Sequence, residues 1–402
     1  MPSYILRKDV RKLPGQVIKG VPKPKPFIFE GYQTRKKVAE ICIKQNFNKC
    51  LIVTDSTLFK LKYHELITKE LDKHHIEYKV FSNIASEPTV DIITEGKKIA
   101  LDFKADVIVA LGGGSVMDSC KIISASVKLD KLSVKTILQK FLVVNGKTLP
   151  IITIPSTAGT GAEITVGAVV TSKNKLVKQS TVIVGLNIID VILDSELSLN
   201  LPFNITAACG IDALSHGLEG ILSDVRVSRL DMQKSFECVK LVLNNLPKVL
   251  NKPNDKNARL NMAKAALYGG YAINNQLAGY VHAFAHSIGA LYHIPHGQAI
   301  ALSLLPVLDF NKEKCKDKLA ELAIYCQLAQ PIDSVEYARD QICNRIEELI
   351  ISTNLLDKSN CIKTKDYNKL VKMIATDSIN YSAPIILKNS DIKLLLKQIS
   401  KQ

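Results

Sequence analysis

The chain has 402 residues, of which 47% are apolar and 23% are charged. This length and composition predict a large core and two domains. The formal net charge of +15 suggests a nucleic-acid partner, but ten basic and only two acidic residues lie in the first 37, so about half of the excess is confined to the N-terminus. Tryptophan is absent and aromatic residues make up 6%. Few side chains are therefore available for base stacking, and we expect no nucleic-acid partner.

The cysteines predict a reducing compartment. There are nine of them, an odd number, and they form no Cys-x-x-Cys pair, which is typical of intracellular thiols. The N-terminal segment lacks the apolar run that would predict a signal peptide. No stretch reaches the roughly 18 uncharged apolar residues that are needed to span a bilayer. We therefore expect a cytoplasmic protein with no membrane partner.

Short apolar runs alternate with segments of helical periodicity between residues 27 and 194. Five runs rich in Val and Ile predict strands, at 51–55, 78–81, 105–111, 149–154 and 182–185. Segments 63–75 and 89–103 place apolar residues at helical spacing. The alternation predicts an α/β architecture with a parallel sheet that helices cover on both faces.

The pattern changes after Leu201-Pro202, where long segments rich in Ala, Leu and Lys predict helices to the C-terminus. We therefore predict three regions: a basic N-terminal extension over residues 1–26, an α/β domain over 27–200, and an all-α domain over 201–402.

The segment ALGGGSVMDSC (110–120) follows a predicted strand and opens a predicted helix. Its glycines let the backbone approach a ligand, and N–H groups at a helix N-terminus favour phosphate. The ordinary dinucleotide fingerprint is not met, because Met117 stands where the third glycine belongs and Asp55 precedes the glycines instead of following them. Taken alone, the segment indicates a tight turn more often than a cofactor site.

A second loop, PSTAGTGAE (155–163), also follows a predicted strand. The hydroxyls of Ser156, Thr157 and Thr160 can hold a phosphate or an amide, or can form a polar turn. Ligands of parallel sheets bind at the carboxyl ends of the strands, so the two loops together predict a shared crevice.

Histidines are concentrated in the predicted helical domain, with five of the eight between residues 216 and 296. Asp212 and His216 are four residues apart, as are His282 and His286, so each pair lies on one face of a helix. His296 follows at a Pro-Gly corner. A single pair would more often belong to a helix core, but two pairs with a further histidine favour a divalent first-row metal such as Fe(II) or Zn(II).

At these residues the sequence closely resembles the iron-containing (group III) alcohol dehydrogenase family. The resemblance runs from about residue 27 to residue 310 and rests on GGGS with its following Asp, PSTAGTGAE, GIDALSHGLEG, and HAFAHSIG with PHG. It implies a dehydroquinate synthase-like architecture, in which 27–200 is a Rossmann-like NAD-binding domain, 201–402 is an α-helical metal-binding domain, and catalysis occurs in the cleft between them.

The resemblance also implies roles for single residues. The metal ligands would be Asp212, His216, His282 and His296, and His286 would relay protons near the substrate. The cofactor residues would be Gly113, Gly114 and Ser115 at the pyrophosphate, Asp118 nearby, Ser156, Thr157 and Thr160 along the nicotinamide, Lys178, and Asp55 at the adenosine ribose. A carboxylate at position 55 accepts hydrogen bonds from a 2′-hydroxyl and repels a 2′-phosphate, so we predict NAD rather than NADP.

The implied function is a metal-dependent alcohol dehydrogenase or aldehyde reductase that transfers hydride between NAD(H) and a small alcohol or aldehyde. The implied metal is Fe(II), or alternatively Zn(II) or another divalent ion, and the implied assembly is a homodimer or larger homo-oligomer. Two alternatives stay open. One is a glycerol dehydrogenase-like or other superfamily enzyme acting on a polyol, and the other is a basic protein that binds a polyanion through residues 1–37.

Overall fold

The computed structural model describes residues 4–7, 22–85, 87–138, 141–144, 146–171, 178–357, 362–378 and 381–401. These residues divide into two compact units. The first unit contains the N-terminal half of the chain up to Leu199, and the second begins at Asn200. Residues 158–160 group with the second unit although they lie within the sequence of the first.

A parallel sheet of six strands forms the centre of the first unit. Its strands are β2 (Phe27–Gly31), β3 (Lys49–Asp55), β4 (Glu77–Ile84), β5 (Val107–Gly112), β7 (Ile151–Pro155) and β10 (Ile188–Asp194). They are arranged in the order β2-β10-β7-β5-β3-β4, and every neighbouring pair is parallel. Strands β5 and β7 are buried along their whole length, as expected for central strands with helices on both faces.

Helices connect these strands. They are α1 (Val38–Gln45), α2 (Ser56–Lys60), α3 (Glu65–Lys73), α4 (Val90–Phe103), α5 (Gly114–Lys128) and α6 (Val134–Leu138). Apolar side chains of α1 and α3, such as Val38 and Ile67, join those of the strands in one buried cluster. Residues in the left-handed conformation end two of the helices, Asn46 after α1 and Lys104 after α4, and turn the chain back into the sheet.

A smaller mixed sheet also belongs to the first unit. Its strands are β1 (Tyr4–Arg7), β6 (Phe141–Val144), β8 (Gly167–Thr171) and β9 (Lys178–Val184). Strand β1 pairs antiparallel with β6, β6 pairs parallel with β9, and β9 pairs antiparallel with β8.

The second unit is built from packed helices. They are α7 (Phe203–Leu222), α8 (Arg229–Asn251), α9 (Lys256–Gln276), α10 (Tyr280–Tyr292), α11 (His296–Asn311), α12 (Lys316–Tyr325), α13 (Val335–Ser352), α14 (Tyr367–Ser378) and α15 (Asn389–Ile399). Their apolar faces form one contiguous core. Among the described residues, no helix is long and apolar enough to cross a membrane.

The predicted fold class is confirmed: a parallel sheet with helices is followed by a helical region. The run predicted at 182–185 is a strand, but it lies in the mixed sheet instead of the parallel one. The predicted basic extension contributes β1, whereas its residues 1–3 and 8–21 lie outside the described part of the chain.

Candidate metal centre and cofactor loops

Helix α7 supplies the first two predicted metal ligands. Asp212 and His216 are one turn apart on its buried face. Gly269 of α9 lies directly against this turn, because a Cβ built there would be only 3.0 Å from His216 Cβ. A glycine at this position therefore lets the two helices approach closely enough to bury the imidazole.

A tight corner between α10 and α11 brings the remaining histidines to the same place. His293 caps the C-terminus of α10 in a left-handed conformation (φ 56°), and Pro295 is the N-cap residue just before α11. A Cβ at Gly297 would lie 2.6 Å from the backbone oxygen of Ala208, so only glycine lets the start of α11 lie against α7. The corner places His296 beside His282 of α10, with ring centroids 5.6 Å apart.

The four predicted ligands converge on one carboxylate oxygen. Asp212 Oδ1 lies 3.7 Å from His216 Nε2, 3.7 Å from His282 Nε2 and 3.5 Å from His296 Nε2. The Nε2 atoms of His216 and His282 are 3.0 Å apart. Asp212, His282 and His296 each offer a donor atom within 4.8 Å of the others, the spacing of a metal-binding cluster.

The donor atoms fit a divalent cation. Asp212 Oδ1 is buried and has no hydrogen-bond partner among the described residues, a costly state for a carboxylate oxygen unless it binds a cation. One carboxylate and three imidazoles, without a thiolate, suit Fe(II) and Zn(II) equally. His296 is the most exposed of the four, with 34% of its side chain accessible, so it lies on the open side of the cluster.

Two of the donors are held in their metal-binding protonation states. Burial disfavours the charged form of Asp212, but the surrounding histidines, His216 foremost, outweigh it and hold its pKa well below the ordinary value. Burial lowers the pKa of His216 to about 4, so this imidazole is neutral at physiological pH. Metal ligands must be deprotonated, and both groups meet this requirement.

Glu219 joins the cluster from the next turns of α7 and was not identified from the sequence. Its Oε2 lies 2.5 Å from His282 Nδ1, and its Oε1 accepts a hydrogen bond from the His282 backbone N–H at 3.2 Å. Burial raises the pKa of this carboxyl, but His282 and the backbone N–H groups outweigh it and leave the pKa below its ordinary value. Its spacing of seven from Asp212 and three from His216 places it on the same helical face, and this periodicity could have revealed it.

The predicted proton relay, His286, lies at the edge of the cluster with 39% of its side chain exposed. Its ring centroid is 5.4 Å from that of His296. Its Nδ1 lies 3.0 Å from Tyr381 Oη and 3.3 Å from Asp377 Oδ2. Tyr381 and Asp377 were also missed, because they follow His286 by more than 90 residues and nothing in their local sequence indicates the contact.

Six predicted cofactor residues of the first unit lie at or just after the carboxyl ends of three neighbouring parallel strands: Asp55, Gly113, Gly114, Ser115, Ser156 and Thr157. Strands β3, β5 and β7 are parallel neighbours and end at Asp55, Gly112 and Pro155. Gly113 caps α5, and Gly114 and Ser115 form its first turn, so backbone N–H groups lie at the end of β5. Asp55 Oδ1 accepts the N–H groups of Thr57 and Leu58 and thereby caps α2.

The segment at residues 112–115, the glycine loop, contacts the loop at residues 155–163, the hydroxyl loop. Ser156 N donates to Gly112 O at 2.9 Å, and a Cβ at Gly113 would lie 3.4 Å from Thr157 Oγ1. Thr160 groups with the second unit and is exposed. The side chain of Lys178 lies outside the described residues, although the residue itself begins β9.

Asp118 has a different environment from the glycines that precede it. Its Oδ1 lies 3.0 Å from the ammonium of the buried Lys121, and its Oδ2 accepts the Val169 N–H at 2.9 Å. Lys121 also donates to Thr165 Oγ1 and Gly167 O. Both Asp118 oxygens are therefore engaged within the protein and tie α5 to β8.

A parallel sheet with a glycine loop opening a helix, followed by helices that bring one Asp and three His together, is the arrangement expected of a metal-dependent dinucleotide oxidoreductase. The family profile described as iron-containing alcohol dehydrogenase matches residues 24–192, and that described as Fe-containing alcohol dehydrogenase family, C-terminal, matches residues 206–400. The chain therefore belongs to the iron-containing alcohol dehydrogenase family.

Curated and solved relatives agree with this assignment. The chain is 30% identical over 354 residues to alcohol dehydrogenase 4 of Schizosaccharomyces pombe, covering 87% of this chain and 82% of the relative. The crystal structure of a 1,3-propanediol oxidoreductase superposes with a TM-score of 0.84 at 26% identity, covering 94% of this chain and 99% of the other. A sulfoacetaldehyde reductase from Bifidobacterium kashiwanohense, solved with NAD+, has the same fold, with a TM-score of 0.85 at 24% identity and coverage of 95% and 98%.

These comparisons confirm several predictions. The family and the alcohol–aldehyde oxidoreductase activity are as predicted. The family uses NAD(H) and a divalent metal, iron in most members, also as predicted. The roles of individual residues are not tested by the comparisons and stay predictions.

Proposed function

We propose that this chain reduces small aldehydes, and oxidises the corresponding alcohols, with a divalent metal held by Asp212, His216, His282 and His296. The observation that carries the proposal is the buried Oδ1 of Asp212, which has no hydrogen-bond partner in the described part of the chain and has three imidazole nitrogens within 3.7 Å. We also retain the assignment of residues 27–200 to NAD and 201–402 to the metal. The alternative of polyanion binding through residues 1–37 stays a prediction, because residues 1–3 and 8–21 lie outside the described part of the chain.

The residues of the cluster are suited to this chemistry. When bound, the metal supplies a Lewis acid for the substrate oxygen, and the nicotinamide accepts or supplies the hydride. Asp212 would be the single anionic ligand beside three imidazoles, so the ion with its direct ligands would keep positive charge facing the substrate oxygen. The exposed side of the cluster, marked by His296, is where we place the substrate.

His286 is suited to moving the hydroxyl proton. With Nδ1–H donating towards Asp377 and Tyr381, its Nε2 is left to exchange a proton with the substrate. The interaction with Asp377 and Tyr381 holds the ring in place without using a metal ligand.

Replacing His286 separates the relay from the metal site. We expect His286→Ala to keep its metal content and to lose about 100-fold in kcat, a typical contribution of general acid–base catalysis. Metal analysis and steady-state kinetics on one preparation measure both quantities. Undiminished kcat across the pH range would contradict the relay role and leave the metal site intact.

Cofactor preference tests the adenosine end of the site. We expect a higher kcat/KM with NADH than with NADPH for short aldehydes, because the Asp55 carboxylate repels a 2′-phosphate. Asp55→Asn keeps an oxygen that can cap α2 and removes the charge, so it should raise kcat/KM with NADPH. A wild-type preference for NADPH would contradict the role of Asp55. In a separate comparison of short aldehydes, alcohols and polyols as substrates, a polyol as the best substrate would favour the glycerol dehydrogenase-like alternative.

We further propose a cytoplasmic homo-oligomer. All eight cysteines of the described residues are free thiols, which supports a reducing compartment. The resemblance to the family supports a dimer or a larger assembly. Light scattering after size exclusion gives the assembly directly, and the mass of a single chain would contradict it.

A further inference from the structure

We propose that Glu219 is a positioning residue for the metal, which holds His282 in the tautomer and orientation that present its Nε2 to the ion. The inference rests on the proposed function in one respect only, that Asp212 and the three histidines bind a divalent cation. Glu219 itself is outside the predicted ligand set, and neither of its oxygens is among the clustered donor atoms.

Glu219 holds His282 at two points. The residue is only 3% exposed, and its Oε2 accepts the Nδ1–H of the imidazole at 2.5 Å while its Oε1 accepts the backbone N–H of the same residue at 3.2 Å. One carboxylate thus fixes both the ring and the backbone of His282. The rotation of the ring about its Cα–Cβ and Cβ–Cγ bonds is restrained accordingly.

The second hydrogen bond also shapes the start of α10. Gly279 occupies the N-cap of this helix and has no side chain to cap it. His282 is the third residue of the helix, and its N–H is one that a capping side chain normally satisfies. Glu219 satisfies it from α7 instead, and a Cβ at Gly279 would come within 3.0 Å of Glu219 Oε1, so the glycine leaves room for the carboxylate.

The consequence falls on the other ring nitrogen. Because the Glu219 carboxylate accepts at Nδ1, the neutral imidazole that binds a metal would keep its proton on Nδ1 and present its lone pair on Nε2, the atom that lies 3.0 Å from His216 Nε2 and 3.7 Å from Asp212 Oδ1. His216 differs, since its Nδ1 is buried without a partner among the described residues. His282 is therefore the ligand whose metal-binding form is dictated by a neighbouring carboxylate, an arrangement that commonly tunes metal affinity.

The test measures metal affinity rather than turnover. Chelator competition with Zn(II) on the full-length metal-free chain gives the Kd of wild type, Glu219→Gln and Glu219→Asp. Gln keeps the size but has a single acceptor oxygen, and Asp keeps the charge but is one methylene shorter. We expect each to weaken Zn(II) binding about 10- to 100-fold. Glu237→Gln is the matched control, since Glu237 accepts a hydrogen bond from Tyr325 in the same unit, and its Kd should change less than about twofold.

A double-mutant cycle separates positioning from general damage to the core. If Glu219 acts through His282, Glu219→Gln should weaken Zn(II) binding little further in a His282→Ala background. An unchanged Kd in both Glu219 variants, or an equal loss with and without His282, would overturn the inference. Failure of the wild-type chain to bind Zn(II) would instead overturn the proposed function. If Glu219→Gln does not fold, the same cycle is run with Glu219→Asp.

Discussion

Glu163 is a carboxyl group buried in the hydroxyl loop with 2% exposure, and its Oε1 has no partner among the described residues. Burial disfavours its charged form and raises its pKa to about 7. This loop therefore contains a protonated, uncharged carboxyl group at mildly acidic pH. The loop is also the one whose hydroxyls we assign to the nicotinamide.

The raised pKa predicts how stability depends on pH. Unfolded Glu163 releases its proton near pH 4.5 while the folded carboxyl keeps it to about pH 7, so this group reduces stability progressively as pH rises through that window. The total penalty is about 3 kcal/mol above pH 7. We expect Glu163→Gln to be more stable than wild type at pH 8 and similar at pH 4.5, measured by urea unfolding. A constant difference between the two proteins across this range would contradict the prediction.

Three of the four predicted metal ligands, Asp212, His216 and His282, were predictable because each belongs to a pair four residues apart, which places both members of the pair on one helical face. Glu219 lies on the same face, yet a glutamate in a helix usually indicates a solvated surface and not a buried partner of histidine. Asp377 reaches His286 from 91 positions further along the chain. Such contacts depend on how the helices pack, which local periodicity does not determine.

The corner between α10 and α11 determines where His296 lies relative to the other predicted metal ligands. His293 caps the end of α10 in a left-handed conformation, Pro295 is the N-cap of α11, and Gly297 lets the start of α11 lie against α7. Each residue has a local backbone or packing reason to be there. Together they set the direction from which His296 approaches the other ligands.

Replacing Gly297 tests this corner. Glycine to alanine within a helix ordinarily stabilises by about 1 kcal/mol, but a Cβ here would lie 2.6 Å from the Ala208 backbone oxygen, which cannot move aside cheaply. We therefore expect Gly297→Ala to destabilise by about 1–3 kcal/mol and to weaken metal binding, measured by urea unfolding and chelator competition. Gly167→Ala, with no atom within 4 Å of its Cβ, is the control and should be nearly neutral. A more stable Gly297→Ala chain would contradict the proposed packing.

Four of the six strands in the parallel sheet were predicted from the sequence, and two were missed. Strands β3, β5 and β7 contain largely apolar runs, and β4 contains the shorter run predicted at 78–81, so each was expected close to where it lies. Strand β10 was missed because its sequence, IIDVILD, is interrupted by Asp190, a buried carboxyl whose pKa burial raises to about 6. Strand β2 was missed because it is the short, exposed edge of the sheet, where the apolar pattern is weak.

Across the whole molecule, the sequence pattern changes near residue 200 from short apolar runs to long helical segments. This position coincides with the change from the sheet of the first unit to the helices of the second. The first unit brings Asp55, the glycine loop and Ser156 to one sheet edge, and the second brings one Asp and three His together. The mixed sheet was not predicted, since β1 lies in the strongly basic N-terminal segment and its pairing with β6 spans more than 130 residues. The charge that suggested nucleic acid lies largely in that segment, whereas the histidines carry the chemistry.

We propose that Asp212 and the three histidines hold the metal that the reaction requires. The most direct measurement strips the purified chain with a chelator and titrates Fe(II) or Zn(II) back while NADH oxidation by a short aldehyde is followed. We predict loss of activity on stripping, recovery that saturates at about one ion per chain, and at least about 100-fold less activity in Asp212→Asn at the same metal concentration. Full activity in the stripped chain, or in Asp212→Asn, would contradict the account.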